Sequence, residues 1–270
     1  MRIRKLILPV FFLLVILGVG GFVIWANTTN QPMAEAQAAL LSDSQVIVKS
    51  QPWLVFRPAS AAAETGFIFY PGGRVDPRAY APLARALALE GYLVTIVPMP
   101  LNLAILGSGQ GQDVLEAFPE ISSWAIGGHS LGGAMAARFV FNNPATIQGL
   151  ALLAAYPAST DDLSLYDIQV LSIYGTRDGM MAADALEKSR LILPLDTTWI
   201  AIEGGNHAQF GWYGSQAGDF PATISHAEQQ QIIVEALLDL LENIESRENF
   251  KNPGTPSSQS GSIIIGRWVP

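Results

Sequence analysis

Cysteine is absent from the 270 residues of this chain, and cations are few. The lack of thiols excludes a disulfide framework, a zinc site built on cysteine and a cysteine nucleophile. Only 15 Lys and Arg residues stand against 23 Asp and Glu residues, which gives a formal net charge of -8 at pH 7. So few cations cannot form the basic surface that nucleic acids require, and we expect no nucleic-acid partner.

Hydrophobic residues, by contrast, make up 50% of the chain, which is enough to bury one substantial core. A core of this size does not depend on a structural metal. We expect neither a metal site nor a cofactor. One domain of catalytic size, with appendages at its ends, is the expected organisation.

Charged residues are also absent from residues 6–26, a run long enough, at about 1.5 Å per residue, to cross a hydrocarbon core about 30 Å thick. Arg2, Arg4 and Lys5 precede it, so residues 1–5 form a basic segment. This charge asymmetry predicts a cytoplasmic N-terminus and a periplasmic or extracellular remainder. Small-residue cleavage sites occur only at residues 34–38, well beyond the run. We therefore predict an uncleaved transmembrane anchor, with secretion after signal cleavage as the alternative.

The rest of the chain predicts one α/β domain over residues 45–245, joined to the anchor by a polar, Ala-rich linker over residues 27–44 that is briefly helical near residues 33–41. Two short apolar runs at the start predict an antiparallel pair at a sheet edge. Beyond them, strand and helix patterns alternate, which predicts a mostly parallel, doubly wound sheet. The predicted strands are residues 45–49, 53–58, 66–70, 92–97, 121–126, 147–155, 168–174 and 197–202, and the predicted helices are residues 78–90, 113–118, 131–142, 182–191 and 227–244.

Two further segments carry predictions of their own. Residues 246–270 are rich in Asn, Pro, Gly and Ser, which is typical of a flexible tail. The apolar cluster at residues 263–268 leaves an additional edge strand open as an alternative. Residues 156–167, between two predicted strands, number only 12. They are too few for a cap domain, so we expect an accessible site with no large lid and no interfacial activation.

The chemistry centres on residues 128–133, with the sequence Gly-His-Ser-Leu-Gly-Gly. This is the G-x-S-x-G pattern of a nucleophile elbow, in which a serine occupies a sharp turn between a strand and a helix. A short apolar run precedes the pattern and a helix of small residues follows it, and this context distinguishes an elbow from a chance match. We predict Ser130 as the nucleophile and the N–H of Leu131 as one donor of an oxyanion hole.

A serine nucleophile needs a histidine base and a carboxylate that orients it. Of the three histidines, His129 lies inside the elbow and His226 begins a long helix, which leaves His207 in a Gly-rich loop after the last strand. Asp178 follows the strand predicted over residues 168–174, which gives the chain order Ser, Asp, His. The other acidic residues in this interval fit less well, because they lie in the preceding loop, on a helix or in a turn: Asp161, Asp162, Asp167, Asp184, Glu187 and Asp196.

The second oxyanion donor is expected from the loop after the third strand, where residues 70–74 have the sequence Tyr-Pro-Gly-Gly-Arg. Gly73 is our first choice and Arg74 the second.

Loops at the carboxyl ends of strands also carry apolar and aromatic residues that could line a cleft, although packing is the alternative for each. The candidate substrate contacts are Tyr70, Arg74 (for an anionic group), Met99, Leu101, Phe210, Trp212 and Tyr213. For Arg74 the favoured alternative is a solvated loop residue.

Together, residues 70–73, 97–102, 128–133 and 205–210 resemble the α/β-hydrolase superfamily, and within it the α/β-hydrolase fold-5 group of serine hydrolases, relatives of the dienelactone hydrolases. The resemblance covers about residues 45–244 and implies the triad Ser130, Asp178 and His207. Dienelactone hydrolases use a cysteine nucleophile that this chain lacks, so their substrate is not implied. We predict a serine hydrolase of small acyl or lactone-like carboxylic esters. The alternatives are an amidase or peptidase of the same fold, or an inactive binding protein.

Overall fold

Eight strands form one sheet in the computed structural model, which describes residues 2–251. In chain order they are β1 (Val46–Lys49), β2 (Leu54–Pro58), β3 (Thr65–Tyr70), β4 (Leu93–Ile96), β5 (Ser123–His129), β6 (Gly149–Leu153), β7 (Gln169–Gly175) and β8 (Thr198–Ile202). Across the sheet the order is β1-β2-β4-β3-β5-β6-β7-β8. The pairs β1/β2 and β2/β4 are antiparallel and the other pairs are parallel. The predicted mostly parallel sheet with an antiparallel edge is confirmed.

Helices cover both faces of the sheet. Within residues 2–251 the α-helices are α1 (Arg2–Asn27), α2 (Ala34–Ala38), α3 (Ala81–Leu89), α4 (Gly111–Ala117), α5 (Leu131–Asn142), α6 (Ala183–Ser189) and α7 (His226–Lys251). The helix predicted over residues 78–90 is divided into the 3-10 turn Pro77–Tyr80 and α3. Each part has a proline in its first turn, where the missing N–H leaves no helical hydrogen bond unmade.

Strand β3 shows how the sequence builds the two halves of the core, since all of its residues are buried. Phe67 and Phe69 pack with side chains of α3 and α7, whereas Ile68 and Tyr70 pack with side chains of α4 and α5. This alternation follows from the two-residue period of a strand. Burial on both faces is what a parallel sheet between two layers of helices requires.

The parallel strands bring the predicted site loops to one edge of the sheet. Residues 71–74 follow β3, Ser130 follows β5, residues 176–181 follow β7 and residues 203–207 follow β8. Carboxyl ends of parallel strands are where open α/β sheets bind their ligands. Between β6 and β7 the chain forms only turns and irregular structure, which confirms that no large lid is inserted there.

The N-terminal helix α1 projects from this domain. Its segment Leu8–Asn27 has 20 residues, a mean hydropathy of 2.5 and, apart from Ala26, no buried residue, so it is long and apolar enough to cross a membrane. Such a helix can serve as a signal anchor or as a signal sequence. The residues predicted as a linker then follow the domain surface: Ala36 of α2 is fully buried, and Arg85 donates to the carbonyl of Leu41 at 2.7 Å and pairs with Asp43.

Helix α7 is longer than predicted at both ends and continues past Glu245 to Lys251. The first part of the predicted tail is therefore helical. Glu and Arg, which favour helices, dominate residues 245–248, so the helix pattern outweighs the polar composition there. The rest of the predicted tail, with the apolar cluster at residues 263–268, lies outside the described residues.

Candidate active site

Ser130 occupies the corner between β5 and α5, as the elbow pattern predicts. Its backbone has φ 53° and ψ -122°, a positive φ that side chains other than glycine rarely adopt. The corner is fixed on both sides, because the N–H of Ser130 donates to the carbonyl of Leu153 at 2.9 Å and the carbonyl of Ser130 accepts from Ala134 at 3.1 Å. The serine is thus presented at the end of the strand in a strained conformation that the surrounding structure maintains.

The glycines of the elbow are required by the close approach of strand and helix. A Cβ atom on Gly128 would lie 2.6 Å from the carbonyl carbon of Gly132, and a Cβ atom on Gly133 would lie 2.6 Å from the carbonyl oxygen of Gly128. Both distances are shorter than any normal contact. A side chain at either position would push α5 away from β5 and displace Ser130.

Asp178 and His207 are in direct contact. Nδ1 of His207 lies 2.7 Å from Oδ2 of Asp178. Both side chains are buried, with 3% exposure for His207 and 2% for Asp178. The other carboxylate oxygen, Oδ1, accepts the N–H groups of Met180 and Met181 at 2.8 Å each. An acceptor at Nδ1 places the imidazole proton there, which leaves Nε2 unprotonated and able to act as a base.

The His207 ring also lies beside the elbow. Its centroid is 4.5 Å from that of His129, the residue that directly precedes Ser130. Nε2 of His207 is buried and has no hydrogen-bond partner within residues 2–251, so the Ser130 hydroxyl does not bind it in this conformation. The structure thus brings Asp178 and His207 into contact, next to the corner that carries Ser130.

Helix α7 fixes the loop of His207 through a buried glutamine. Oε1 of Gln229 accepts the N–H of Asn206 at 2.9 Å, and Nε2 of Gln229 donates to the carbonyl of the same residue at 2.8 Å. Gln229 is fully buried. This role of Gln229 was not predicted from the sequence. A signal was present, because Gln229 lies on the same helix face as Ile233 and Leu237 and is a polar residue on an apolar stripe.

Asp219 links the two loops of the candidate triad. Its Oδ2 accepts the N–H of Ala208, next to His207, at 2.8 Å. Its Oδ1 accepts the N–H of Gly179, next to Asp178, at 3.0 Å. One carboxylate therefore sets the spacing of both loops. No local pattern around Asp219 pointed to this role.

A second buried pair, Tyr80 and His129, connects the elbow with the loop after β3. The Tyr80 hydroxyl accepts the N–H of Gly72 at 3.0 Å and lies 2.9 Å from Nδ1 of His129. Burial raises the pKa of Tyr80, so its hydroxyl is protonated and donates to Nδ1. Burial, followed by the nearby His207, lowers the pKa of His129 well below its ordinary value and keeps the ring neutral. The ring of Phe210 stacks on His129 at 5.7 Å.

The loop after β3 has one backbone donor available. The N–H of Gly72 is bound to Tyr80, and the N–H of Arg74 donates to the carbonyl of Asn102 at 2.8 Å. Between them, the N–H of Gly73 has no acceptor within residues 2–251. A Cβ atom on Gly73 would lie 3.3 Å from Cδ2 of Leu131, so the glycine is next to the other predicted donor. Of the two choices from sequence, Gly73 therefore has the available amide and Arg74 does not.

Two of the predicted substrate contacts lie in the core below the loops. Tyr70 is fully buried, and its hydroxyl donates to the carbonyl of Ser108 at 2.9 Å and accepts the N–H of Gly111 at 2.7 Å. Met99 is 7% exposed and packs in the same cluster. Their packing orders the segment that follows β4. Packing was the alternative to substrate binding for each of these residues.

The aromatic residues after His207 are also engaged in packing. Phe210 is fully buried behind His129. The indole of Trp212 stacks on His226 with 4.0 Å between ring centroids. Tyr213 is 6% exposed, and its hydroxyl donates to Gln216 at 2.9 Å. Leu101 and Trp212 are partly exposed, and Leu101 has a positive φ of 51°.

Arg74 is bound to the end of α1. Its Nε donates to the carbonyl of Trp25 at 2.9 Å and its Nη2 to the carbonyl of Thr28 at 2.8 Å. The guanidinium also lies 4.5 Å from the centroid of the Trp25 ring, within the range of a cation–π contact. The guanidinium therefore binds the end of α1. From the sequence, Arg74 was a candidate contact for an anionic substrate group.

Comparison with known proteins is consistent with this architecture. The sequence model of the alpha/beta hydrolase family matches residues 66–231. A search of curated proteins gave no match. Similar solved structures include a predicted CIB-like hydrolase from Thermoplasma acidophilum, with 15% identity, a TM-score of 0.54 and coverage of 73% of this chain and 98% of that one. A carboxylesterase from Bacillus subtilis has 11% identity, a TM-score of 0.52 and coverage of 77% and 94%. The esterase domain of a Rhodothermus marinus protein has 13% identity, a TM-score of 0.53 and coverage of 71% and 94%.

Proposed function

Because this chain belongs to the alpha/beta hydrolase family, we propose that it is a serine hydrolase of carboxylic esters. The observation that carries the proposal is the buried contact of 2.7 Å between Asp178 and His207, made beside a serine in a strained elbow. A buried carboxylate that leaves one imidazole nitrogen free next to a serine is the arrangement that activates a hydroxyl nucleophile. The esterases among the structures of similar fold favour esters over amides.

In the proposed reaction, Oγ of Ser130 attacks the ester carbonyl carbon while Nε2 of His207 takes the hydroxyl proton. Asp178 keeps the proton on Nδ1 and stabilises the imidazolium that forms. The N–H groups of Gly73 and Leu131 donate to the negatively charged oxygen of the tetrahedral intermediate. One such donor typically contributes about 10²–10³ to kcat.

The intermediate then collapses to an acyl-enzyme. The alcohol leaves with the proton that His207 carries, and the acyl group remains on Ser130. A water molecule next gives a proton to Nε2 and attacks the acyl carbon through the same oxyanion site. Release of the carboxylic acid restores the serine, so the cycle needs no metal or cofactor. Small acyl or lactone-like esters are the proposed substrates, because the short segment between β6 and β7 adds no lid or acyl tunnel to the site.

The test is active-site labelling of the full-length protein with a fluorophosphonate probe, together with turnover of short-chain esters. Ser130→Ala is expected to abolish labelling and turnover, and His207→Ala to lower kcat by roughly 10⁴-fold or more. Ser60→Ala, an exposed serine near the opposite edge of the sheet, is the matched control and is expected to keep both activities. A folded protein that resists the probe would indicate a binding protein. Labelling with turnover of amides only would indicate an amidase or peptidase.

We also propose that α1 remains as a single-pass anchor, with the catalytic domain on the periplasmic or extracellular side. The absence of charge in the span and its basic N-terminal flank support this orientation. Protease added to intact spheroplasts is expected to digest the domain. Full protection would reverse the topology, and recovery of a soluble, N-terminally shortened protein would indicate signal cleavage.

A further inference from the structure

The last turn of α1 is attached to the loop that carries the proposed oxyanion donor Gly73. The next residue, Arg74, binds the carbonyls of Trp25 and Thr28 through its side chain, as described above. Its backbone carbonyl accepts the N–H of Asn30 at 2.8 Å. Both the side chain and the main chain of one residue therefore tie this loop to the end of the apolar helix.

A second loop of the site is attached to the same helix end. The carbonyl of Asn102 accepts the N–H of Arg74 at 2.8 Å, and its side-chain amide donates to the carbonyl of Ala26 at 3.3 Å. Ala26 is fully buried, whereas residues 8–25 of α1 are all exposed except Gly20, which is partly exposed. Among residues 8–27, the helix thus docks on the domain at its last turn, beside the loop that carries Gly73.

This attachment fixes the depth of the site relative to a membrane. The apolar span ends at Asn27. Gly73 precedes the arginine that holds that end, so the proposed oxyanion hole lies at the level where the chain leaves the hydrocarbon. In a lipid, the ester bonds lie between the headgroup and the acyl chains, which is the same level.

Exposed apolar side chains lie in the turn that follows the segment bound to the helix end. The turn Pro100–Asn102 is followed at once by the turn Ala104–Leu106, where Ile105 is 61% and Leu106 is 53% exposed. Adjacent exposed apolar side chains, close in the chain to the residue that binds the helix end, would be buried in the lipid interface and so stabilise contact with it. The formal net charge of -8 favours a neutral lipid surface over an anionic one.

We propose that the site faces the membrane and takes its ester from it, so that the substrate class is an amphiphile with a small acyl group whose ester bond lies at headgroup depth. This inference rests on the proposed esterase function and names its substrate. The anchor holds the site at the interface whether or not substrate is present, so the site has continuous access to esters in the membrane. A lid that opens at the interface is therefore unnecessary, in agreement with the short segment between β6 and β7.

The first test measures depth and does not require activity. Because the chain has no cysteine, Ile105→Cys can be labelled with one environment-sensitive fluorophore in the full-length protein, reconstituted in phosphatidylcholine vesicles. Lipids with a spin label near the headgroup are expected to quench this fluorophore. The control is Leu195→Cys, a fully exposed leucine just before the amino end of β8, and its label is expected to stay unquenched. Equal quenching at both positions, or none at Ile105→Cys, would overturn the proposed orientation.

The second test compares two esters that carry the same acyl group, 4-methylumbelliferyl butyrate and the butyrate of an umbelliferone with a hexadecyl chain. In the same vesicles, the membrane-held ester is expected to react at least about tenfold faster at equal total concentration. The double variant Ile105→Gln and Leu106→Gln is expected to lower that rate about tenfold while changing the rate for the soluble ester less than about twofold. Leu195→Gln is the control and should change neither rate.

The outcomes separate the two proposals. Hydrolysis of the soluble ester with no preference for the membrane-held one would overturn the membrane-facing site and leave the esterase proposal standing. Equal losses for both esters in the double variant would also overturn it, because they would indicate damage to the site itself. Failure to cleave either ester, with no probe labelling of Ser130, would refute the esterase function and the substrate assignment that rests on it.

Discussion

The hydroxyl of Tyr80 lies 2.9 Å from Nδ1 of His129 and also accepts the N–H of Gly72. This one side chain therefore connects the residue before the proposed nucleophile with the residue before the proposed oxyanion donor. All three groups are buried, so none of them can replace a lost partner with bulk water. The relative position of Ser130 and Gly73 depends on this contact.

Removal of the hydroxyl in Tyr80→Phe is expected to lower kcat about tenfold with little change in KM. The variant leaves two buried polar groups unpaired, which typically costs about 1–3 kcal/mol each in the free energy of unfolding. Ester kinetics and urea unfolding in detergent measure the two effects. Tyr166→Phe removes a comparable bond, to the carbonyl of Phe141 at 3.0 Å, near the amino end of β7, and should leave kcat unchanged. Unchanged kcat in Tyr80→Phe would show that the contact does not position the site.

The loop of His207 offers a similar test from the other side. In Gln229→Ala, the buried N–H and carbonyl of Asn206 lose their partners, so we expect a lower kcat and a free energy of unfolding reduced by about 1–3 kcal/mol. Gln231→Ala is the control on the same helix, because Gln231 is exposed and bonds only Glu235 at 2.9 Å. Equal stability and kcat in the two variants would contradict the role assigned to Gln229.

The sequence predicted the parts of the site that are local in the chain. The elbow at residues 128–133 contains its strand end, its turn and its helix start in one continuous stretch, so the corner at Ser130 follows from the pattern. The positions of Asp178 and His207 were predicted because each follows an apolar strand, and parallel strands share one carboxyl edge. The same periodicity predicted the sheet, which the structure and the family match confirm.

The partners of Arg74 could not be predicted, because they are set by tertiary contacts between distant segments. Its guanidinium binds carbonyls that lie 46 and 49 positions earlier in the chain. A side chain on a loop gives no local signal of such a contact, and from the sequence a solvated loop arginine was favoured over one that pairs with an anionic substrate group. Gln229, which binds a residue 23 positions away, was missed for the same physical reason.

Two histidines outside the proposed triad, the buried His129 and the partly buried His226, predict how stability depends on pH. Burial lowers the pKa of His129 well below 6.5 and that of His226 to about 4. Below about pH 6.5 the unfolded chain therefore binds protons that the folded protein does not. The free energy of unfolding consequently falls as the pH falls from 6.5 towards 4. Above pH 6.5 these two groups leave it constant. The slope is at most about 1.4 kcal/mol per pH unit for each histidine.

Urea unfolding in detergent at several pH values measures this slope. His226→Gln is expected to reduce it between pH 6.5 and 4, because one of the two proton-binding groups of the unfolded state is gone. The comparison concerns the slope alone, since the variant also changes the stacking on Trp212. A slope equal to that of the natural sequence would contradict the lowered pKa of His226.

The last prediction concerns whether Arg74 binds substrate or positions a loop. In Arg74→Gln, the loop that carries the proposed oxyanion donor loses its side-chain bonds to the end of α1. We expect kcat to fall about tenfold, by the same factor for a neutral and for an anionic ester of one acyl group. A residue that paired with an anionic substrate group would instead raise KM for the anionic ester alone. Arg190→Gln is the matched control, because the guanidinium of Arg190 lies 4.0 Å from the centroid of the Trp199 ring, away from the candidate site. A loss confined to the anionic ester would indicate that Arg74 binds substrate and does not position the loop through its bonds to α1.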